Sequence, residues 1–348
     1  METENRKVIL IQGVGGSSSP DLYTSGGDLG GHRSRLLRYF QDYQADNTKL
    51  PNNNVWLEKE DVIGFSYSDR YWDVVEEKSV RGQGYPTNQL AVADYVGSDT
   101  CPGVHKAAQK LNSLINNLTS QEPDVQIDMI AHSMGGLVAA YWVSNQDSDY
   151  LKQHIRSVTT LDSPLLDGFP ISSSISSGCL SYDQATEDLL NNSDVLKKIN
   201  QYENTTHRIP FFHVNSTTIG DLLPRGKDLG QPCGGVHAPI FGMFGAIIVS
   251  IFSAGLLWPT LFAAGSSLYG DISEHSCVWT SPDSHELIAK NVIFKKQLTL
   301  PVKDWAEEHF TDGKAYYADD SYKLAEKEFT TAISLDSDVA VYYAARGS

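Results

Sequence analysis

The sequence predicts an α/β protein: a mainly parallel central sheet covered by helices on both faces, with an apolar helical insertion and a short helical appendage towards the C-terminus. Three observations predict it. Apolar runs of strand length alternate with segments of helical period over residues 1–300. The apolar run Val125–Ile130 leads through Ala131-His132-Ser133-Met134-Gly135-Gly136 into a helix of small and apolar residues ending at Val143. Near the start of the chain, Val8-Ile9-Leu10-Ile11 runs into the glycine-rich turn Gln12-Gly13-Val14-Gly15-Gly16.

The elements follow in order. Val8–Ile11 is a short buried strand, and a Ser/Gly-rich loop continues from its turn to Gly31. His32–Tyr43 has helical spacing of Leu36, Leu37 and Phe40, and Asp61–Ser68 reads as a second strand. Gly103–Leu118 is an amphipathic helix through Val104, Ala107, Ala108, Leu111, Leu114, Ile115 and Leu118. After the strand and helix around Ser133 come strands at Ile155–Leu161 and, past Pro210, at Phe211–Thr218. Ser281-Pro282-Asp283 opens a helix to about Lys295, with a Ser cap, Pro in the first turn and an early acid.

A serine hydroxyl is a poor nucleophile until a base removes its proton and donors await the oxyanion. A tight strand-to-helix turn serves both needs: it lifts the side chain clear of the sheet and aims the next backbone N–H at the reacting atom. Residues two before and two after the serine must be small, and Ala131 and Gly135 are. An A-x-S-x-G string arises by chance in long chains, but its place at a strand end, opening an Ala/Gly-rich helix, points to a catalytic serine. The glycine turn after Ile11 has a rival reading as a dinucleotide fingerprint. That reading needs a third glycine at position 18, which is Ser18.

From about residue 5 to 297 the chain resembles an α/β hydrolase of the lipase and esterase type. Val8–Gly16 is similar to the family's strand ending in an H-G-x-G-G turn, with Gln12 where His is common. Ser157-Val158-Thr159-Thr160-Leu161-Asp162-Ser163-Pro164-Leu165 resembles its strand ending in T-L-x-S-P. The resemblance implies a carboxylic-ester hydrolase, acting on lipid or acylglycerol esters through an acyl-enzyme, with no metal or organic cofactor. It implies Ser133 as nucleophile, with the Val14 and Met134 N–H groups as oxyanion hole. The triad order nucleophile, acid, histidine puts the base at His275, in the loop before the Ser281-capped helix. His285, in the first turn of that helix, is expected to be a surface residue. Asp221, in Thr218-Ile219-Gly220-Asp221-Leu222-Leu223-Pro224, resembles the family's acid loop; Asp162 is the alternative acid. His132 is expected to point away from the serine.

Composition bounds the rest. Net charge is −16, which argues against nucleic acid and against electrostatic capture on anionic lipid. Cys101, Cys179, Cys233 and Cys277 show no C-x-x-C spacing, so no zinc site is expected, and two disulfides could pair in three ways. Met1–Lys7 is polar and lacks signal-peptide character, giving the cytoplasm as the expected location with secretion as the alternative. Leu229 to Gly270 contains no Asp, Glu, Lys or Arg. Ile240–Trp258 is long enough to span a bilayer, but a single crossing would separate Asp221 from His275. The segment is therefore read as a cap over the site, able to rest on a lipid interface; a buried core helix pair is the alternative. Residues 301–348 change pattern: Gly313, Ala315-Tyr316-Tyr317, Tyr322, Ala325, Phe329, Ala332 and Leu335-Asp336 resemble one tetratricopeptide repeat, which implies a protein partner. Two other classes fit the same residues: a non-catalytic hydrolase-fold module that presents the helical repeat, and an acyltransferase or amidase using the same triad.

Overall fold

The computed structural model describes residues 5–16, 18, 28–46, 57–73, 78–81, 92–165, 184–190, 193–203, 209–214, 227–228, 278–295, 298, 302–318, 320–335 and 339–347. The apolar insertion 229–270, Asp221 and His275 lie outside the described residues.

Among the described residues a six-stranded sheet forms the centre. Its strands are β1 (Arg6–Ile11), β2 (Val62–Gly64), β6 (Gln126–His132), β7 (Ile155–Leu161), β8 (Phe211–Val214) and β9 (Lys227–Asp228). Every neighbouring pair is parallel, in the spatial order β2-β1-β6-β7-β8-β9. β6 and β7 are buried along nearly their whole length, as strands covered on both faces must be. The chain leaves β1 towards β2 on one side and later returns to β6 on the other. The carboxyl ends of β1 and β6 therefore flank the point where strand order reverses, the crevice in which open α/β sheets bind ligands.

Helices cover this sheet: α1 (Asp28–Ala45), α2 (Gly103–Gln121), α3 (Met134–Val143), α4 (Ser148–His154), α5 (Gln184–Leu189), α6 (Asp194–Glu203) and α7 (Pro282–Ile288). α2 buries the whole apolar stripe read from its spacing, Val104 to Leu118. Each Leu or Ile there contributes up to about 1.5–3 kcal/mol of burial. Pro102 offers no side-chain cap to α2; the Asp188 carboxylate accepts the Val104 N–H instead, at 2.7 Å. α7 begins as read, with Ser281 Oγ accepting the Asp283 N–H at 3.2 Å and Pro282 in the first turn.

The structure adds to or departs from the sequence reading in three places. The second strand is only Val62–Gly64, after which Phe65 to Tyr67 turn inward as buried side chains. A separate three-stranded antiparallel sheet follows, of β3 (Arg70–Asp73), β4 (Lys78–Arg81) and β5 (Val92–Ala93). The last helix of the sheet is regular only to Ile288 and widens into a π turn at Ala289–Ile293.

That π turn ends where two guanidinium groups meet it. Arg6 donates to the Ile293 carbonyl (3.1 Å) and Arg156 to the Val292 carbonyl (2.8 Å). Both pair with Asp128, which is fully buried on β6, and Ser157 also donates to it. Cations at the carbonyl end of a helix meet its partial negative charge.

His213 on β8 is buried beside Thr160 on β7, with Nδ1 2.6 Å from the threonine hydroxyl. Burial lowers its pKa from 6.5 to about 3. Between these values the unfolded chain binds a proton that the native state refuses. The stability held by neutral His213 is thus complete above pH 6.5 and falls as pH drops towards 3, by about 1.4 kcal/mol per unit. Urea titrations at pH 7 and pH 5 should show this loss, and the loss should shrink in His213→Gln.

The tail forms three helices, α8 (Val302–Ala318), α9 (Tyr322–Leu335) and α10 (Ala340–Arg346). They share a core of their own: Ala306, Phe310, Ala325, Phe329, Ala332, Ile333 and Tyr342. His309 Nδ1 lies 2.5 Å from Glu328 Oε2 within it, both side chains buried.

Candidate active site

Ser133 sits between β6 and α3 with φ 53° and ψ −127°. This is the left-handed half of backbone space, which costs a residue with a Cβ about 1–3 kcal/mol and persists only where the surroundings impose it. The surroundings are visible. Ser133 N–H donates to the Leu161 carbonyl (2.9 Å), prolonging the β6–β7 pairing, and its own carbonyl accepts from Gly136 N–H (3.0 Å) as the helix begins. A Cβ on residue 135 would lie 2.5 Å from the Ile11 carbonyl oxygen and 2.7 Å from that of Gln12. The first turn of α3 is therefore pressed against the end of β1, and only glycine fits between them. The small residue demanded by the elbow is present for that steric reason.

The turn after β1 meets the nucleophile directly. A Cβ on residue 13 would stand 2.7 Å from Ser133 Cβ and 3.1 Å from its Oγ. Val14, the next residue, is half-buried. Met134 is fully buried at the first position of α3, where a backbone N–H has no acceptor within its own helix. The turn that carries Val14 and the elbow that carries Ser133 and Met134 thus meet at the reversal of strand order.

The other predicted residues are placed as follows. Asp162 ends β7 beside the elbow, fully buried and with φ 43°; its N–H donates to the Val214 carbonyl (3.0 Å). His132 stacks on Trp279, ring centroids 5.7 Å apart. His285 is not a surface residue. It is buried against Tyr39 of α1, and its Nε2 donates to the Trp279 carbonyl at 3.1 Å. Burial, and secondly the charge of Arg35, hold its pKa below the usual value against the raising effect of the Trp279 carbonyl. Its ring is committed to packing. Among the described residues no group of His, Cys, Asp or Glu side chains could hold a metal ion, and no helix is long and apolar enough to cross a membrane.

A serine in left-handed backbone between a strand of the parallel sheet and a helix, with a glycine turn from the neighbouring strand laid against it, has the strand–elbow–helix geometry found in α/β hydrolases. Within this chain, residues 98–205 match the family model described as the PGAP1-like alpha/beta domain. That stretch runs from the segment before α2 through β6, Ser133, β7 and α6. No curated protein matches the chain. Among solved structures it is similar to phospholipase PlaB from Legionella pneumophila, at 13% identity and TM-score 0.40, over 62% of this chain and 38% of that one. The chain thus spans well under half of that phospholipase. It is also similar to the lin2722 gene product of Listeria innocua (14% identity, TM-score 0.38, 86% of this chain and 96% of that one). A third likeness is to monoacylglycerol lipase from Paleococcus ferrophilus (12% identity, TM-score 0.31, 62% and 75%). The fold class stands on the strand order and elbow of the chain itself.

Proposed function

We propose that the protein is a serine hydrolase of carboxylic esters, with lipid or acylglycerol esters as its substrates. One observation carries the reading: Ser133 is held in a strained backbone at the reversal of strand order, with the Gly13 turn against its Oγ. Ser133 attacks the ester carbonyl while His275 takes its proton, and Asp221 orients His275. The Val14 and Met134 N–H groups receive the oxyanion. His275 returns the proton to the leaving alcohol and then activates the water that frees the acyl group. No metal or organic cofactor enters this scheme.

The triad order of the family that the chain resembles puts the base at His275, and two observations support it. Trp279 touches His132, next to the nucleophile, and four residues of chain span at most ~14 Å; His285 is committed elsewhere. Asp162 supplies a second reading for the acid, since a buried carboxylate with left-handed backbone ends the strand beside Ser133. The phospholipase and monoacylglycerol lipase among the similar structures are consistent with an ester substrate. The apolar insertion is proposed as the cap that meets acyl chains, and the tail helices as a surface for a protein partner. Cys101 is disulfide-bonded, which favours secretion over the cytoplasm.

A fluorophosphonate probe tests the central point. Stoichiometric labelling of the wild type, lost in Ser133→Ala, is the expected result; a folded wild type that takes no probe overturns catalysis and leaves a binding module. Asp221→Asn should lower turnover of a nitrophenyl ester about 10,000-fold, with Asp162→Asn near wild type. The reverse pattern moves the acid to Asp162. Product analysis with competing alcohols and amines separates hydrolysis from acyl transfer.

A further inference from the structure

The turn from Gln12 to Gly16 is held in shape by side chains from two other parts of the fold. Gly16 N–H donates to the Gly13 carbonyl at 3.3 Å, closing a four-residue turn, and Gly15 takes φ 73°, as the third position of a type II turn requires. Because a trans peptide sets its N–H opposite its C=O, a Gly13 carbonyl aimed at Gly16 turns the Val14 N–H to the outside of the turn. Such a turn keeps its aim only if the peptides on either side are fixed.

Both are. The Tyr67 hydroxyl donates to the Gln12 carbonyl, and Tyr67 is itself buried between Phe65 (ring centroids 4.9 Å apart) and Tyr95 (5.4 Å). On the far side, Gly15 N–H donates to Thr100 Oγ1 at 3.0 Å, while the Thr100 hydroxyl donates to the Gly97 carbonyl at 2.7 Å. Thr100 is 1% exposed. The same segment pairs with the chain beyond the turn, Ser18 N–H to the Tyr95 carbonyl (2.9 Å) and Tyr95 N–H to that of Ser18 (2.6 Å). It ends at Cys101, which is locked in a disulfide.

We infer that Thr100 and Tyr67 are positioning residues for the oxyanion turn, fixing from its two sides the peptide whose Val14 N–H faces the reacting oxygen. This rests on the hydrolase reading given above. Neither side chain touches substrate. Both act through the backbone of residues 12–15, where a displacement of about 1 Å can cost 100-fold in rate.

The test compares Thr100→Val, Thr100→Ser and Tyr67→Phe with the wild type, using a soluble nitrophenyl ester and a phenylboronic acid whose tetrahedral adduct on Ser133 mimics the oxyanion. Thr100→Val and Tyr67→Phe are expected to lower kcat about 10- to 100-fold with KM within about twofold. Boronate affinity should fall in parallel, and Thr100→Ser should stay near wild type. Tyr67→Phe removes a single hydroxyl and decides the matter should Thr100→Val not fold. A wild type that hydrolyses the ester, beside variants that keep both kcat and boronate affinity within twofold, overturns this inference alone. A wild type that neither hydrolyses the ester nor reacts with fluorophosphonate overturns it together with the hydrolase reading.

Discussion

Replacing Ser133 by glycine is expected to stabilise the protein while ester turnover falls about a million-fold. The two effects have one cause. The elbow keeps Ser133 at φ 53°, a conformation costing a side chain about 1–3 kcal/mol that glycine adopts freely. Glycine gives back about 0.5–1 kcal/mol through its looser unfolded chain, which leaves a gain of about 1 kcal/mol. Urea unfolding of Ser133→Gly and Ser133→Ala, measured together, isolates the backbone contribution: only the glycine variant should shift the midpoint upward. Equal midpoints would mean that the elbow stores no strain, and the argument for a functional serine would lose its physical basis.

Asp128→Ala is expected to cost about 3–5 kcal/mol, the usual penalty when one member of a buried charge cluster is removed. Asp128 is fully buried and takes hydrogen bonds from Arg6, Arg156 and Ser157. Its loss strands the Arg6 guanidinium in the interior. Adding Arg6→Met should recover part of the loss, because the orphaned charge is what costs most. A single variant within about 1 kcal/mol of wild type in urea would refute the cluster's importance. Since Asp128 lies on the strand that delivers Ser133, both stability and turnover per folded molecule are informative.

What could be read from the sequence was local. Val8–Ile11, Ile155–Leu161 and the Ser133 elbow carry their own signals: apolar runs of strand length, each ending in small or turn-forming residues. Gly103–Leu118 declared its buried face by spacing alone. The small antiparallel sheet escaped because Arg70–Asp73 and Lys78–Arg81 are short and charged, and their partners among the described residues are each other and Val92–Ala93. The Asp61–Ser68 run looked continuous because Phe65 and Tyr67 are apolar, yet they are buried beyond the strand's end rather than within it. His285 was misread for a related reason. Helical position suggested solvent, but Tyr39, some 250 residues earlier in the chain, covers it. Thr100 and Tyr67 had no motif to mark them, since their role is a hydrogen bond to a distant backbone. Arg6, Asp128 and Arg156 meet only once three strands are aligned. Asp221, His275 and the apolar insertion lie outside the described residues, so they stand as read from the sequence.

The tail has a consequence for anyone who heats this protein. Its interior of seven side chains, from Ala306 to Tyr342, is a cluster distinct from the one that lines the sheet. Two interiors that share no described side chain need not melt as one, so a calorimetric trace is not bound to a single peak. A midpoint taken from tyrosine signals, which the tail supplies in Tyr316, Tyr317, Tyr322, Tyr342 and Tyr343, would report that helical trio as well as the body that bears the serine.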